Sequence, residues 1–246
     1  MCTLIVAWQV FEDAPVCVAA NRDEQFGRPA SPPMRWDTDP VVVAPRDEEA
    51  GGTWIGYNES GLLVAVTNRW QRGDSGRSRG RLVTDALSKR SVDAALECVE
   101  STLETETYAP FHLLLVDETR CVVVVHDGET TEIRRLAPGV HTVVNVGIDG
   151  DVFVPPTRPE AGRTQAKNAR TIRRRLQPTA AESASAWLNR AASALGDHDI
   201  GLCVHGDSFG TRSSSLLCLP RSGPPVYDYA DGPPCTTPYE RVEARD

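Results

Sequence analysis

Short apolar runs separated by turn residues dominate the first third of the chain. Thr3–Val10 and Val16–Ala20 have the character of strands joined by a Glu-Asp-Ala-Pro turn, and Val41–Ala44 is a shorter β-rich run. Thr53–Tyr57 and Leu62–Thr67 flank Asn58-Glu59-Ser60-Gly61, a turn that predicts a hairpin. Trp70–Arg79 is polar and glycine-containing, hence a loop. The period then changes. Leu82, Val83, Ala86 and Leu87 share one helical face, as do Val92, Ala95, Leu96, Val99 and Leu103, with Ser91 placed to cap the second helix. Strands are expected again at Phe111–Val116, Cys121–His126, Thr130–Arg135 and His141–Val146. A second helical block covers about 159–176 and 180–195, and the last strands fall near Ser213–Leu219 and Val226–Tyr229.

Hairpins alternating with helix pairs predict an α+β chain in which two packed sheets carry helices on their outer faces. A doubly wound parallel sheet requires strand–helix–strand alternation, which is missing. With 246 residues and no Pro/Gly/Ser-rich linker, the whole of 1–246 is expected as a single domain.

Composition narrows the function. A net charge of −8 disfavours a general nucleic-acid surface, because phosphate neutralisation needs a basic excess. No run approaches the roughly 18–20 apolar residues of a membrane span, and no signal peptide is expected. The 7 cysteines are scattered and form no C-x-x-C pair, so neither a disulfide framework nor a structural zinc site is expected. That usage fits a reducing cytoplasm.

Candidate chemistry begins at Met1-Cys2, which runs directly into an apolar strand. Removal of Met1 would leave Cys2 with both a thiol and an α-amine. The amine's reference pKa of about 7.7–8.0 lets it act as general base for its own thiol. If the first two strands pair, Asn21-Arg22-Asp23-Glu24 returns to the level of Cys2. Arg22 would then favour the thiolate, and Asp23 would orient the amine or hold Arg22.

Cys2, Asn21-Arg22-Asp23-Glu24, Arg28-Pro29, Gly51-Gly52-Thr53-Trp54-Ile55-Gly56, Thr67-Asn68, Arg79-Gly80 and Gly210-Thr211-Arg212 occur in this order. The ordered set covers nearly the whole chain and resembles the NRDE family, also called the Transport and Golgi organization protein 2 family. That family is similar to cysteine N-terminal-nucleophile amidohydrolases such as penicillin V acylase and bile salt hydrolase. The resemblance implies a four-layer αββα sandwich with Cys2 as nucleophile and Arg22 and Asp23 beside it. It further implies Asn68 as an oxyanion donor, Asn145 as a second polar site residue and Arg212 as a support for the nucleophile. Asn21 and Trp54 are the candidate substrate contacts.

Other signals carry less. Gly73-Asp74-Ser75-Gly76 and Gly206-Asp207-Ser208-Phe209 suggest serine hydrolases, but the required order of Ser and His is wrong for both. Cys203-Val204-His205 with nearby His198 offers ligands for a metal or haem, yet one C-x-H is a weak pattern, and no metal or cofactor is expected. The helix near 159–176 is strongly basic, a solvated face or a contact for an anionic ligand such as a CoA phosphate. Two functions stay open: hydrolysis or acyl transfer on a small acylated compound, and non-catalytic carriage of haem or an acyl-CoA or other lipid. The oligomeric state is not legible.

Overall fold

In the computed structural model, which describes residues 2–74 and 76–243, nearly every apolar run expected as a strand forms one. Met1 and Ser75 lie outside the described residues. The chain begins with β1 (Thr3–Trp8), β2 (Val16–Gln25), β3 (Ala30–Trp36), β4 (Val42–Asp47), β5 (Ile55–Asn58) and β6 (Leu63–Asn68). Helices α1 (Arg79–Leu87) and α2 (Val92–Thr105) follow, then β7 (Phe111–Val116), β8 (Cys121–His126), β9 (Thr131–Arg135) and β10 (Gly139–Val144). Two short strands, β11 (Gly147–Ile148) and β12 (Asp151–Val152), precede α3 (Pro159–Arg175) and α4 (Ala184–Leu195). β13 (Phe209–Leu219), β14 (Val226–Ala230) and β15 (Glu240–Arg241) complete the chain.

The chain forms two compact units, one of residues 2–27 and 137–242, the other of residues 28–136. The second unit is thus inserted between β2 and β10 of the first, which is why no linker marks a boundary. In the first unit the sheet order is β12-β11-β10-β1-β2-β13-β14-β15. The second has a seven-stranded sheet in the order β3-β4-β5-β6-β7-β8-β9. All its strand pairs, like those of the first unit, are antiparallel.

Local chemistry explains the helix ends. Ser78, Ser91 and Ser183 cap α1, α2 and α4, each accepting a backbone N–H of the first turn. α3 instead starts on Pro159 and ends on Arg173, Arg174 and Arg175, which complement the negative end of the helix dipole. Arg173 pairs with Asp149 at 3.0 Å and Arg175 with Asp197 at 2.6 Å, so part of the basic stripe serves local ion pairs.

Each unit packs its helices on one sheet face. In the first, Ile5, Ala7, Cys17, Ala19 and Leu216 meet Ile172, Trp187 and Leu195. The alternate residues Leu4, Val6 and Val18 point to the opposite face and are also buried. In the second, Val42, Ala44, Val64 and Leu113 meet Leu82, Ala86 and Val99.

Two elements differ from expectation. β2 does not stop at the charged segment but continues to Gln25, because β13 pairs with it from Leu219–Val16 to Phe209–Gln25. β3 contains Pro32 and Pro33 and has no apolar alternation. It lies at a sheet edge, where missing N–H donors are tolerated, and its register slips between Ser31 and Met34. Among the described residues, no helix is long and apolar enough to cross a membrane.

His112 is buried on β7. Burial, aided by the charges of Arg69 and Arg134, pushes its pKa down to about 3. The unfolded chain takes up that proton near its ordinary pKa, about 6.5. The unfolded state therefore binds more protons between the two values, and stability falls as pH drops through that window. The slope is at most about 1.4 kcal/mol per pH unit for one group. Urea unfolding of the parent and of His112→Gln should show a shallower acid decline in the variant. Parallel profiles would exclude His112 as the source.

Candidate active site

β1 lies between β2 and β10, and its first ladder pairs are Thr3 with Asn21 and Thr3 with Val144. Cys2 is one residue beyond those pairs, so the antiparallel register places it level with Arg22 on one side and Asn145 on the other. The half-buried thiol donates to the backbone oxygen of Asp23 at 3.7 Å. Cys2, Arg22 and the strand residues Leu4 and Ala20 share the sheet parity that points away from the helices.

Arg22 is buried, and its guanidinium lies 4.0 Å from Glu24. Asp23 is buried on the opposite parity and accepts a 2.6 Å hydrogen bond from the Thr211 hydroxyl. That hydroxyl also accepts the Val204 N–H at 2.9 Å, and the Thr211 N–H returns to the Val204 oxygen. Burial pushes the Asp23 carboxyl above its ordinary range, opposed by the Thr211 bond. Burial also raises the Cys2 thiol. Asp23 adds to the rise, while its carbonyl hydrogen bond and the Arg22 charge oppose it. At this site desolvation outweighs the cation, so Arg22 moderates the thiol without making a resting thiolate.

Asn145 follows β10, and its side-chain oxygen accepts from Gln165 of α3 at 2.8 Å. β10 ends at Val144, two residues before the strand end expected from sequence, which leaves Asn145 off the ladder. Arg212 is the bulged residue of β13: Thr211 faces Asp23 and Ser213 faces Arg22, with the register shifting between them. Its guanidinium donates to the Phe26 carbonyl. Asn21 donates both amide hydrogens, to Leu195 and Leu202, each at 3.0 Å. It therefore fixes the end of α4 to β2, on the face opposite the Cys2 parity.

The other two candidates belong to the second unit. Asn68 ends β6 opposite Phe111 and is exposed. Trp54 is half-buried at the entry to β5, and its carbonyl accepts from Val66. Neighbouring motif positions have packing reasons. A Cβ on Gly52 would fall 2.3 Å from the Gly80 backbone, so the Gly51-Gly52 and Arg79-Gly80 motifs allow one close crossing of two chains. Arg28 pairs with Asp47 at 2.8 Å.

Sequence reasoning assigned no role to Thr211 or Gln165. Thr211 lies within the Gly210-Thr211-Arg212 motif, whereas Gln165 is found only through its hydrogen bond to Asn145.

The Cys2 thiol stands at the head of a central strand with buried Arg22 and Asp23 on the neighbouring strand, in a fold shared with solved N-terminal-nucleophile hydrolases. Conjugated bile acid hydrolase from Clostridium perfringens, as its C2A mutant, matches with a TM-score of 0.55 at 12% identity, covering 100% of this chain and 97% of that one. Penicillin V acylase from Agrobacterium tumefaciens gives 0.55 at 14%, covering 93% and 82%. The Caenorhabditis elegans N-acylethanolamine-hydrolyzing acid amidase ortholog gives 0.54 at 10%, covering 87% and 92%. The chain has the α+β fold of this class.

Residues 1–226 match the Transport and Golgi organisation 2 family, and the chain belongs to that family. The Transport and Golgi organization protein 2 homolog of Bos taurus is 32% identical over 137 residues, 52% of this chain and 49% of the relative. The Homo sapiens homolog is 34% identical over 109 residues, 41% and 38% of the two chains. The chain thus aligns with about half the length or less of these curated relatives.

Asn21→Ala would leave the Leu195 and Leu202 carbonyls without these donors. At about 1–3 kcal/mol for each unsatisfied buried group, a loss of about 2 kcal/mol or more is expected. Equilibrium urea unfolding measures it, and a change below about 0.5 kcal/mol, the range of ordinary surface substitutions, would show that Asn21 does not fix α4.

Proposed function

We propose that this chain is a cysteine amidohydrolase or acyltransferase for a small acylated compound, with Cys2 as nucleophile after Met1 is removed. The observation that carries this reading is the Cys2 thiol at the head of β1, bonded to the Asp23 carbonyl and level with Arg22. The fold neighbours, named as a hydrolase, an amidase and an acylase, support the same class.

In this scheme the α-amine of Cys2 takes the thiol proton as sulfur attacks the substrate carbonyl carbon. The developing oxyanion takes a hydrogen bond from a fixed donor. Collapse breaks the bond to the leaving group, which receives the proton held by the amine, and a thioester remains on Cys2. Water or a second amine then attacks the thioester, its proton passing through the same amine, and the thiol is restored. Asp23, held by Thr211, orients the amine, and Arg22 limits the rise in the thiol pKa. Asn145 and Arg212 position the strand ends around Cys2. A reducing compartment such as the cytoplasm would keep Cys2 a thiol.

The raised thiol favours a second reading, a carrier that holds haem or an acyl-CoA without chemistry. A carrier keeps its ligand affinity when Cys2 becomes Ala; an enzyme loses turnover.

Intact-mass analysis before and after brief alkylation is the first test. Loss of Met1 frees the α-amine to take the thiol proton, so alkylation at Cys2 faster than at the other thiols and increasing with pH is expected. Retained Met1, or Cys2 reacting no faster than the other thiols, would overturn the nucleophile assignment. On a hydrolysed acyl-amide substrate, Cys2→Ala should abolish turnover. Hydrolysis that persists in Cys2→Ala would exclude the mechanism.

A further inference from the structure

The first unit carries a second cluster of reactive side chains, separate in the sequence from the Cys2 motifs. His198 is exposed in the turn after α4, Cys203 and His205 flank Val204, and Cys235 is in the turn after β14. Their donor atoms all lie within 4.8 Å of one another. The Cys203 and Cys235 sulfurs are 3.5 Å apart. His205 Nε2 is 3.5 Å from the first and 3.2 Å from the second. The His198 and His205 rings stack, with centroids 5.0 Å apart.

These distances have a chemical meaning. A tetrahedral zinc ion with bonds of about 2.3 Å to sulfur and about 2.0–2.1 Å to nitrogen holds its donors roughly 3.3–3.8 Å apart. The three measured separations fall within a few tenths of an ångström of that range. His198 is exposed and needs only a small side-chain adjustment to complete the set. Two thiolates with two imidazoles suit zinc, whose affinity rests on soft and borderline ligands in a tetrahedron.

We propose that His198, Cys203, His205 and Cys235 form a structural zinc site. The Cys-x-His pair alone carries no such inference. The fold supplies Cys235 from 30 residues beyond His205. The backbone is built for this approach. A Cβ on Gly196, the residue that closes α4, would lie 3.2 Å from both the Cys235 nitrogen and the Pro234 oxygen. The turn holding Cys235 is closed by Thr236 and Thr237 N–H groups donating to the Pro233 carbonyl. A disulfide between Cys203 and Cys235 would account for the two sulfurs but not for an imidazole nitrogen beside both.

Four protein ligands leave no open position, so the ion serves structure, not catalysis. It joins the end of α4, the 203–205 segment and the 233–237 turn. Val204, between two of the ligands, is bonded in both directions to Thr211, which in turn holds Asp23. The zinc site thereby stiffens the support behind Asp23. It does not depend on what Cys2 does.

The test uses the full chain carrying Cys2→Ala, which removes the other reactive thiol from the readout and separates this site from the proposed chemistry. After reduction and addition of zinc, elemental analysis should give about one zinc per chain that survives desalting. Cobalt in its place should give tetrahedral ligand-field bands with thiolate-to-cobalt charge transfer. Adding Cys235→Ser or Cys203→Ser should remove the charge-transfer band or shift it and lower retained zinc at least tenfold. Stripping the ion should lower Tm and speed proteolysis between β14 and β15. If the serine variants fail to fold, the Cys2→Ala chain alone decides. Less than a tenth of a zinc per chain together with no tetrahedral cobalt spectrum overturns the proposal. So does a cobalt–thiolate band unchanged by both serine substitutions.

Discussion

The register of β1 against β2 and β10 is the constraint on which the site depends. Six pairs on each side lock the strand, from Thr3 to Trp8. A slip of one residue would exchange the two faces of the strand. Ile5 and Ala7 would leave the helix-packed core, and Cys2 would turn toward the helices. The apolar contacts of Ile5 and Ala7 with Trp187 and its neighbours therefore also aim the thiol. Hydrophobic packing at one end of the strand sets the direction of a thiol at the other.

Electrostatics at the site does not follow from charge counting. Arg22 beside a cysteine suggests a thiolate, yet Cys2 and Asp23 both have raised pKa values because burial dominates. Both shifts favour the neutral form of each group. Burial also gives Thr211 a clear physical role. Its hydroxyl bond is among the interactions that favour the charged form of Asp23.

Much of this was legible in the sequence because its cause is local. β7 and β8 follow unbroken apolar runs, and the Ser91 cap sets the start of α2 at the expected residue. The β1–β2 hairpin, which returns Arg22 to Cys2, was readable from two apolar runs and a turn. What was not legible depends on partners far along the chain. β2 continues through Arg22 and Asp23 only because β13, almost 200 residues later, pairs with it, and β3 has no pattern of its own. The amide of Asn21 is committed to Leu195 and Leu202, a fact invisible without α4 in place. Thr211 and Gln165 are likewise distant in sequence from the residues they hold.

The insertion of the second unit between β2 and β10 sets a clock for synthesis. The β1–β2 hairpin is translated before residues 28–136, and the strands that flank it are translated after them. At roughly 5–20 residues per second, both edges of the hairpin remain unpaired for on the order of ten seconds. During that interval the edges of β1 and β2 that later carry ladders stay open to solvent. Once β10 and β13 have added their ladders, the same residues form the middle of a sheet. The late enclosure of β1 is thereby written into the order of the strands.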